Sequence, residues 1–255
     1  MKIFVVTHKL YEKPSDDCFT LIKVGSADLG VSACLDDSVG DSISELNPYF
    51  CELTALYWLW KNNETEKVGL VHYRRYFSGE RKTIPFMGKQ IASSDELMFW
   101  LNDYDVIMPK PRNYFITNIK DHYIHAHGET DFNLLREEIS SSCPEYIQAF
   151  DKIMAGKKIS LYNMIAGNRS IIEQYCSWIF DILFKLEKKV KYQDYDAYQR
   201  RVFGFMAERL LNVWIEKNAD KLKIKYLPVI NIEGENLVKK AIGLIERQFL
   251  RGKRK

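Results

Sequence analysis

Two strand ends in this chain collect cationic side chains. Val68-Gly69-Leu70-Val71 is an apolar run of the kind buried in a sheet, and it passes directly into His72-Tyr73-Arg74-Arg75. Ile3-Phe4-Val5-Val6 behaves the same way and ends in Thr7-His8-Lys9. Arginine stays charged and its planar fork can hold two oxygens of one phosphate, so an adjacent pair suits a diphosphate. A surface loop whose arginines pair with nearby carboxylates would use the same residues. The second strand end, presenting similar groups to one place, favours a shared anion site.

The elements that must position these groups alternate along the chain. Ile3 to Thr7 and Phe19 to Val24 read as strands. Ser44 to Asn62 has apolar residues at Phe50, Leu53, Leu56, Tyr57 and Trp60, a helical spacing, with Asn47 and Pro48 as N-cap and first helical residue. A strand at Val68 to Val71, a helix from Ser94 to Leu101, a strand at Asp105 to Met108 and helices near Asp131 to Ile139 and Pro144 to Met154 follow. Strand and helix in alternation predict an α/β domain with a mostly parallel central sheet flanked by helices. In such sheets ligands sit beyond the carboxyl ends of the strands, which is where both cationic clusters fall.

Composition places the chain among ordinary globular proteins: 255 residues, 46% hydrophobic and 28% charged, with no linker-like or repetitive stretch. We read one domain over residues 1–234. The five cysteines lack C-x-x-C spacing, so neither a zinc ribbon nor a disulfide framework is expected and a reducing compartment is the default. No run has the length of a secretory signal core or a membrane span, so a cytoplasmic protein is expected. Net charge is +3, but residues 235–255 hold seven basic residues against two acidic ones, leaving the remainder at −2. A basic stripe interleaved with stacking aromatics, as nucleic-acid binding would require, is missing from the body of the chain. In the tail, Leu237, Val238, Ala241, Ile242, Ile245 and Phe249 recur on one helical face among the lysines and arginines. Such a basic amphipathic helix suits an anionic membrane surface, although a terminal helix docked on the core has the same periodicity.

Several longer stretches carry a family resemblance. MKIFVVTHK, ISELNPYFCELTALYWLWKN, VGLVHYRRYF, the YNM of Tyr162 to Met164, and DYDAYQRRVFGFMAERLLNVW occur in this order between Met1 and Trp214. Together they resemble a family of bacterial capsule, exopolysaccharide and O-antigen glycosyltransferases, long described as a domain of unknown function. The resemblance implies a single nucleotide-binding domain of GT-A type. It also implies transfer of galactofuranose from its uridine diphosphate donor to a lipid-linked surface glycan, with inversion, by an enzyme peripheral to the inner face of the cell membrane. A pyranose donor on the same fold, or a non-catalytic glycan-binding protein, would keep many of these motifs.

Roles for individual residues follow from setting that resemblance beside the residues. Thr7, His8, Lys9, His72, Tyr73, Arg74 and Arg75, with Arg200 and Arg201, are expected on the donor. The usual metal signature of GT-A enzymes is D-x-D at a strand's carboxyl end. Asp103-Tyr104-Asp105 has the spacing but precedes Val106-Ile107-Met108, so it stands at the strand's start. Cationic side chains are therefore expected to meet the leaving group, with no cofactor required, although manganese or magnesium stays open. Asp194-Tyr195-Asp196 also fits the spacing but opens a helix, Asp196 and Gln199 having capping-box separation. By resemblance Asp196 or Asp194 supplies the general base; taken without the resemblance, an aspartate at this position is more often a helix cap, and Glu208 is read as an ion pair or brace. Asn163, Met164, His125 and His127 are expected on the acceptor side. His122, His125 and His127 have spacing that invites zinc, but no cysteine or clear fourth ligand is local. We read them instead as part of a mobile loop closing over the site, with Tyr114, Phe115 and Tyr123 available to stack on sugar.

Overall fold

The computed structural model describes residues 1–26 and 34–234. The amphipathic helix expected over residues 235–255 lies outside them. The chain opens with β1 (Lys2–Thr7), β2 (Phe19–Lys23) and the short β3 (Leu35–Asp36), followed by helices α1 (Asn47–Phe50) and α2 (Leu53–Asn62). Then come β4 (Lys67–His72), β5 (Arg75–Phe77), the hairpin β6 (Thr83–Phe86) and β7 (Lys89–Ala92), and α3 (Ser94–Trp100). Strands β8 (Val106–Pro109) and β9 (Arg112–Asn113) precede helices α4 (Ile119–His127), α5 (Glu129–Ser142) and α6 (Ile147–Ala155). Strands β10 (Lys158–Ile159) and β11 (Ile165–Asn168), helices α7 (Arg169–Glu187) and α8 (Val202–Lys217), and strands β12 (Ile224–Leu227) and β13 (Val229–Asn231) complete the order.

The central sheet runs β12-β8-β11-β4-β1-β2-β3, with β5 and β13 paired beside β4. Strands β4, β1, β2 and β3 are mutually parallel, as are β8 and β12. Only β11 within this path is antiparallel to its neighbours, β4 and β8. The register sets Val6 against His72, so Thr7 and His72 finish their strands side by side. The mostly parallel α/β sheet predicted from strand–helix alternation is thus observed.

Alternation along β1 divides its side chains between two cores. Phe4 and Val6 join the larger one under α2, α7 and α8, while Ile3 and Val5 join the smaller one under β7 and α3. Parallel strands covered on both faces require such continuous apolar runs, which is why IFVV and VGLV were legible as strands. Among the described residues no helix is long and apolar enough to cross a membrane.

The helix predicted across Ser44 to Asn62 is broken. A 3-10 turn (Ser44–Leu46) and α1 end at Cys51, whose φ of 54° lies in the left-handed region, and α2 restarts at Leu53. Asn47 does not cap the helix. Its Nδ2 instead donates to Cys51 O at 2.8 Å and Thr54 Oγ1 at 3.2 Å, stapling the two sides of the break.

Candidate active site

The break at Cys51 faces the carboxyl ends of β1 and β4 and places Glu52 there. Asn163 Nδ2 donates to Glu52 Oε1 at 2.7 Å and to Gly204 O at 3.2 Å. Gly204 allows this approach: a Cβ at that position would stand 3.3 Å from Cys51 Sγ, closer than most side-chain contacts, so α8 meets the broken helix without a side chain. Arg201 Nε closes the other side, 3.2 Å from Cys51 Sγ.

Tyr162 and Asn163 both have positive φ, 80° and 51°. Together with Cys51 they put three non-glycine residues in the left-handed region around one carboxylate. Each such residue costs on the order of 1 kcal/mol or more and persists only where its surroundings over-determine it. Here the surroundings do so: Tyr162 N–H donates to Glu208 Oε1 at 2.9 Å, Tyr162 O lies 2.7 Å from His72 Nε2, and the Tyr162 ring lies 4.3 Å from the Arg75 guanidinium. Glu208 Oε2 accepts from Arg209 Nη1 at 3.0 Å.

Burial dominates the electrostatics. It raises both Glu52 and Glu208 above the usual carboxylate range, against the opposing pull of Asn163 on Glu52 and of Arg209 on Glu208. His72 is pushed down to about 3 by burial and then by the charge of Arg75, so it is a neutral imidazole at physiological pH. The Cys51 thiol is pushed up to about 11, again chiefly by burial. Two carboxyls, a neutral imidazole and the guanidinium of Arg75, each partly buried, therefore meet at the strand ends. The Nε of Arg75 is sealed from solvent without a hydrogen-bond partner.

The expected donor residues divide into an inner and an outer set. Thr7, at 1% exposure, ties back the following turn by accepting from Lys9 N–H at 3.2 Å. His8 is exposed and packs edge-on to buried Tyr73, 5.4 Å between ring centres. Lys9 lies over the Tyr73 ring at 4.7 Å and pairs with Glu233 at 3.0 Å, which also receives Arg74 at 3.5 Å. Glu233 had no sequence signal, because it comes from beyond β13 and reaches this corner through the pairing of β13 with β5. Arg201 belongs with the inner set. It does so through its contact with Cys51, for both it and Arg200, beside it in the same turn, are exposed.

Asp194 and Asp196 stand apart and are exposed. Asp196 does not open α8 as the capping-box spacing suggested. Its Oδ1 accepts the N–H groups of Tyr198 and Gln199, each at 2.8 Å, capping a separate 3-10 turn (Gln199–Arg201), and α8 begins only at Val202. Asn163 reaches the site as described, but Met164 is fully buried in the sheet core and offers no surface to an acceptor.

The histidine segment is not a loop. Residues 119 to 127 form α4, capped by Asn118, which accepts from Asp121 N–H at 2.7 Å. At 3.6 residues per turn His127 points about 140° from His122 around that helix, so the three rings do not converge. His122 stacks on Tyr114 at 4.1 Å, His127 stacks on Phe205 at 4.0 Å, and His125 lies half-buried in the last turn. Tyr114 and Tyr123 are buried, which leaves Phe115 as the exposed ring of the three proposed for stacking. Among the described residues no three His, Cys, Asp or Glu side chains gather as a metal site. Asp105 precedes β8 at the sheet end away from His72, and its Oδ2 is taken by Lys223 N–H at 2.8 Å. The D-x-D spacing of Asp103 and Asp105 therefore falls at the sheet end opposite the cationic residues.

This is a GT-A-like α/β fold, with a partly buried polar site at the carboxyl ends of its parallel strands. The chain belongs to the family described as Domain of unknown function (DUF4422), whose pattern matches residues 2–219. It is similar to the apo structure of the bifunctional glycosyltransferase WbbM, with a TM-score of 0.82 and 28% identity. That match covers 92% of this chain and 45% of the WbbM chain, so this chain spans less than half of the larger protein. None of the curated proteins matches the chain by sequence.

Proposed function

We propose that this chain is a glycosyltransferase that moves a sugar from a nucleotide diphosphate donor to a glycan hydroxyl, with Glu52 as the general base. The observation that carries this reading is the meeting of the Glu52 carboxyl with the cations Arg75 and Arg201 around three strained residues at the strand ends. In the reaction Glu52 takes the proton of the acceptor hydroxyl as its oxygen bonds to the anomeric carbon. The bond from that carbon to the diphosphate breaks on the opposite face, and the leaving diphosphate takes the electron pair. Arg75, Arg74 and Arg201 meet the charge that develops there. Raising Glu52 brings a carboxylate closer to the working pH, where a base is most effective.

The finer reading rests on the family resemblance: uridine diphosphate galactofuranose as donor, inversion at the anomeric carbon, and a lipid-linked surface glycan as acceptor. The basic segment 235–255 is proposed to rest on an anionic membrane at the inner face. Product mass spectrometry with the furanose and pyranose forms of the donor, each with and without EDTA, tests the assignment. Transfer is expected from the furanose form and is expected to survive chelation at least in part. Transfer only from the pyranose form would move the donor assignment. Complete loss with EDTA, restored by manganese or magnesium, would overturn the purely cationic leaving-group site.

A further inference from the structure

Phe115 sits at the tip of a tight turn between β9 and α4, its side chain carried into solvent at 74% exposure with Ile116 beside it at 46%. Single exposed apolar residues are ordinary. This one is held there by a strained backbone. Its φ is 55°, a region that a bulky residue rarely enters, and Ile116 N–H closes on Tyr114 O at 2.6 Å. Three further bonds lock the turn: Phe115 N–H to Asn113 Oδ1 at 2.8 Å, Lys157 Nζ to Phe115 O at 3.0 Å, and Tyr114 N–H to Lys157 O at 2.9 Å. Beneath it, Tyr114 is buried against His122. A turn fixed this heavily to present a phenyl ring to water has a use for that ring.

The surroundings indicate the kind of surface it meets. A groove of about 490 Å³ beside the ring is lined by Phe115, Ile153, Lys152, Lys157, Lys158 and Glu216. Lys152 is paired with Glu216, and among the described residues Lys157 and Lys158 have no acidic partner in the groove. Apolar side chains at the tip and ammonium groups around them match a bilayer interface, where rings enter the acyl boundary and lysines meet anionic headgroups. We infer that the Phe115–Ile116 turn and its lysine collar form a docking foot for an anionic membrane surface.

The foot lies on the working side of the sheet. Strand β9 follows the carboxyl end of β8, and its partner β10 runs within three residues into Tyr162, which donates to Glu208, and then Asn163, which donates to Glu52. A bilayer beneath this turn would therefore lie at the end of the sheet that carries the site. The inference does not depend on which carboxylate is the base.

Co-sedimentation of the full chain with phosphatidylglycerol–phosphatidylcholine vesicles at low salt tests it. Binding is expected to these vesicles and to weaken on phosphatidylcholine alone and at high salt. Replacing both lysines, Lys157→Gln with Lys158→Gln, should lower partitioning roughly thirtyfold, since each basic residue near the surface contributes about fivefold. Phe115→Asn should lower it at least about tenfold by removing the buried ring. Asn tolerates the left-handed region, so the thermal midpoint of that variant should hold or rise, which separates docking from folding. Wild-type partitioning by both variants, or equal binding to neutral vesicles, would overturn the proposal. So would a vesicle-free dimer that Phe115→Asn dissolves, because a second copy would then be what covers the turn.

Discussion

Glu52 and Asp196 are both carboxylates near a helix start on the same side of the molecule, yet the fold treats them in opposite ways. Asp196 is fully accessible and spends one oxygen on two backbone N–H groups, which hold it below the ordinary aspartate value. Glu52 follows a residue in left-handed backbone, receives a side-chain amide, and is raised by burial in the company of Arg75 and Arg201. The first arrangement stabilises a turn. The second holds a charge where it is unfavourable, which proteins rarely do without a use for it. Functional groups at such a site carry their own energetic cost, so a change that impairs chemistry there should relieve the fold.

The largest effect expected from this contrast is on Glu52→Gln. Gln keeps the acceptor for Asn163 Nδ2 but cannot take a proton, so turnover should fall about 10²- to 10⁴-fold with the donor still bound. Stability should move the other way. For a carboxyl raised in the folded state, the stabilisation from protonation is fully present below the unfolded value, the ordinary 4.5 of a glutamate. It is lost as pH rises through the raised folded value, so at neutral pH the charged Glu52 weighs against the native state. Glu52→Gln should therefore melt higher than wild type near pH 7, and the difference should vanish below about pH 4.5. Wild-type turnover in this variant would return the base to Asp194, Asp196 or Glu208.

A smaller difference should separate the two strand-end arginines. Arg75 lies over Tyr162 beside the buried carboxyls, whereas Arg74 is partly exposed and already engaged by Glu233. A charge-assisted bond to phosphate contributes about 1.5 to 3 kcal/mol, so Arg75→Ala should weaken donor binding roughly ten- to hundredfold by calorimetry. Arg74→Ala should cost less, because in the free protein its charge is shared with an acidic partner and screened by solvent. Equal losses would mean that both guanidinium groups reach the diphosphate and that Glu233 gives way when donor binds.

How much of this was legible in the sequence depends on the range of the interaction involved. IFVV and VGLV announced their strands because burial on both faces leaves a local apolar signature. The cationic residues after them followed from the rule about strand ends. Glu52 gave no such signal. In SELNPYFCELTALYW it occupies what reads as a polar position of one amphipathic helix, and the periodicity carries across the break at Cys51 unchanged. What breaks that helix is tertiary: the side chain of Asn47, the close approach of Gly204, and Arg201 on the Cys51 sulfur. The histidine segment misled for a related reason. The segment reads as a mobile loop, whereas it forms a helix capped by Asn118 that turns His127 away from the others.

The smallest expected effect is the one that most sharpens the comparison. Asp196→Asn replaces one good cap with another, so the turn Gln199–Arg201 that carries Arg201 toward Cys51 should keep its place. Its side-chain oxygen can still accept from Tyr198 and Gln199. If the exposed aspartate serves only that turn, turnover should stay within about twofold of wild type, far from the 10²- to 10⁴-fold loss of a missing base. Asp196→Ala should differ from it, because loss of the cap costs about 0.5 to 2 kcal/mol and loosens the segment that holds Arg201. Weaker donor binding in the alanine variant, with near-normal kinetics in the asparagine one, would make Asp196 a positioning residue. A loss of turnover in Asp196→Asn as deep as in Glu52→Gln would erase the distinction between the two carboxylates and place proton transfer on the exposed turn.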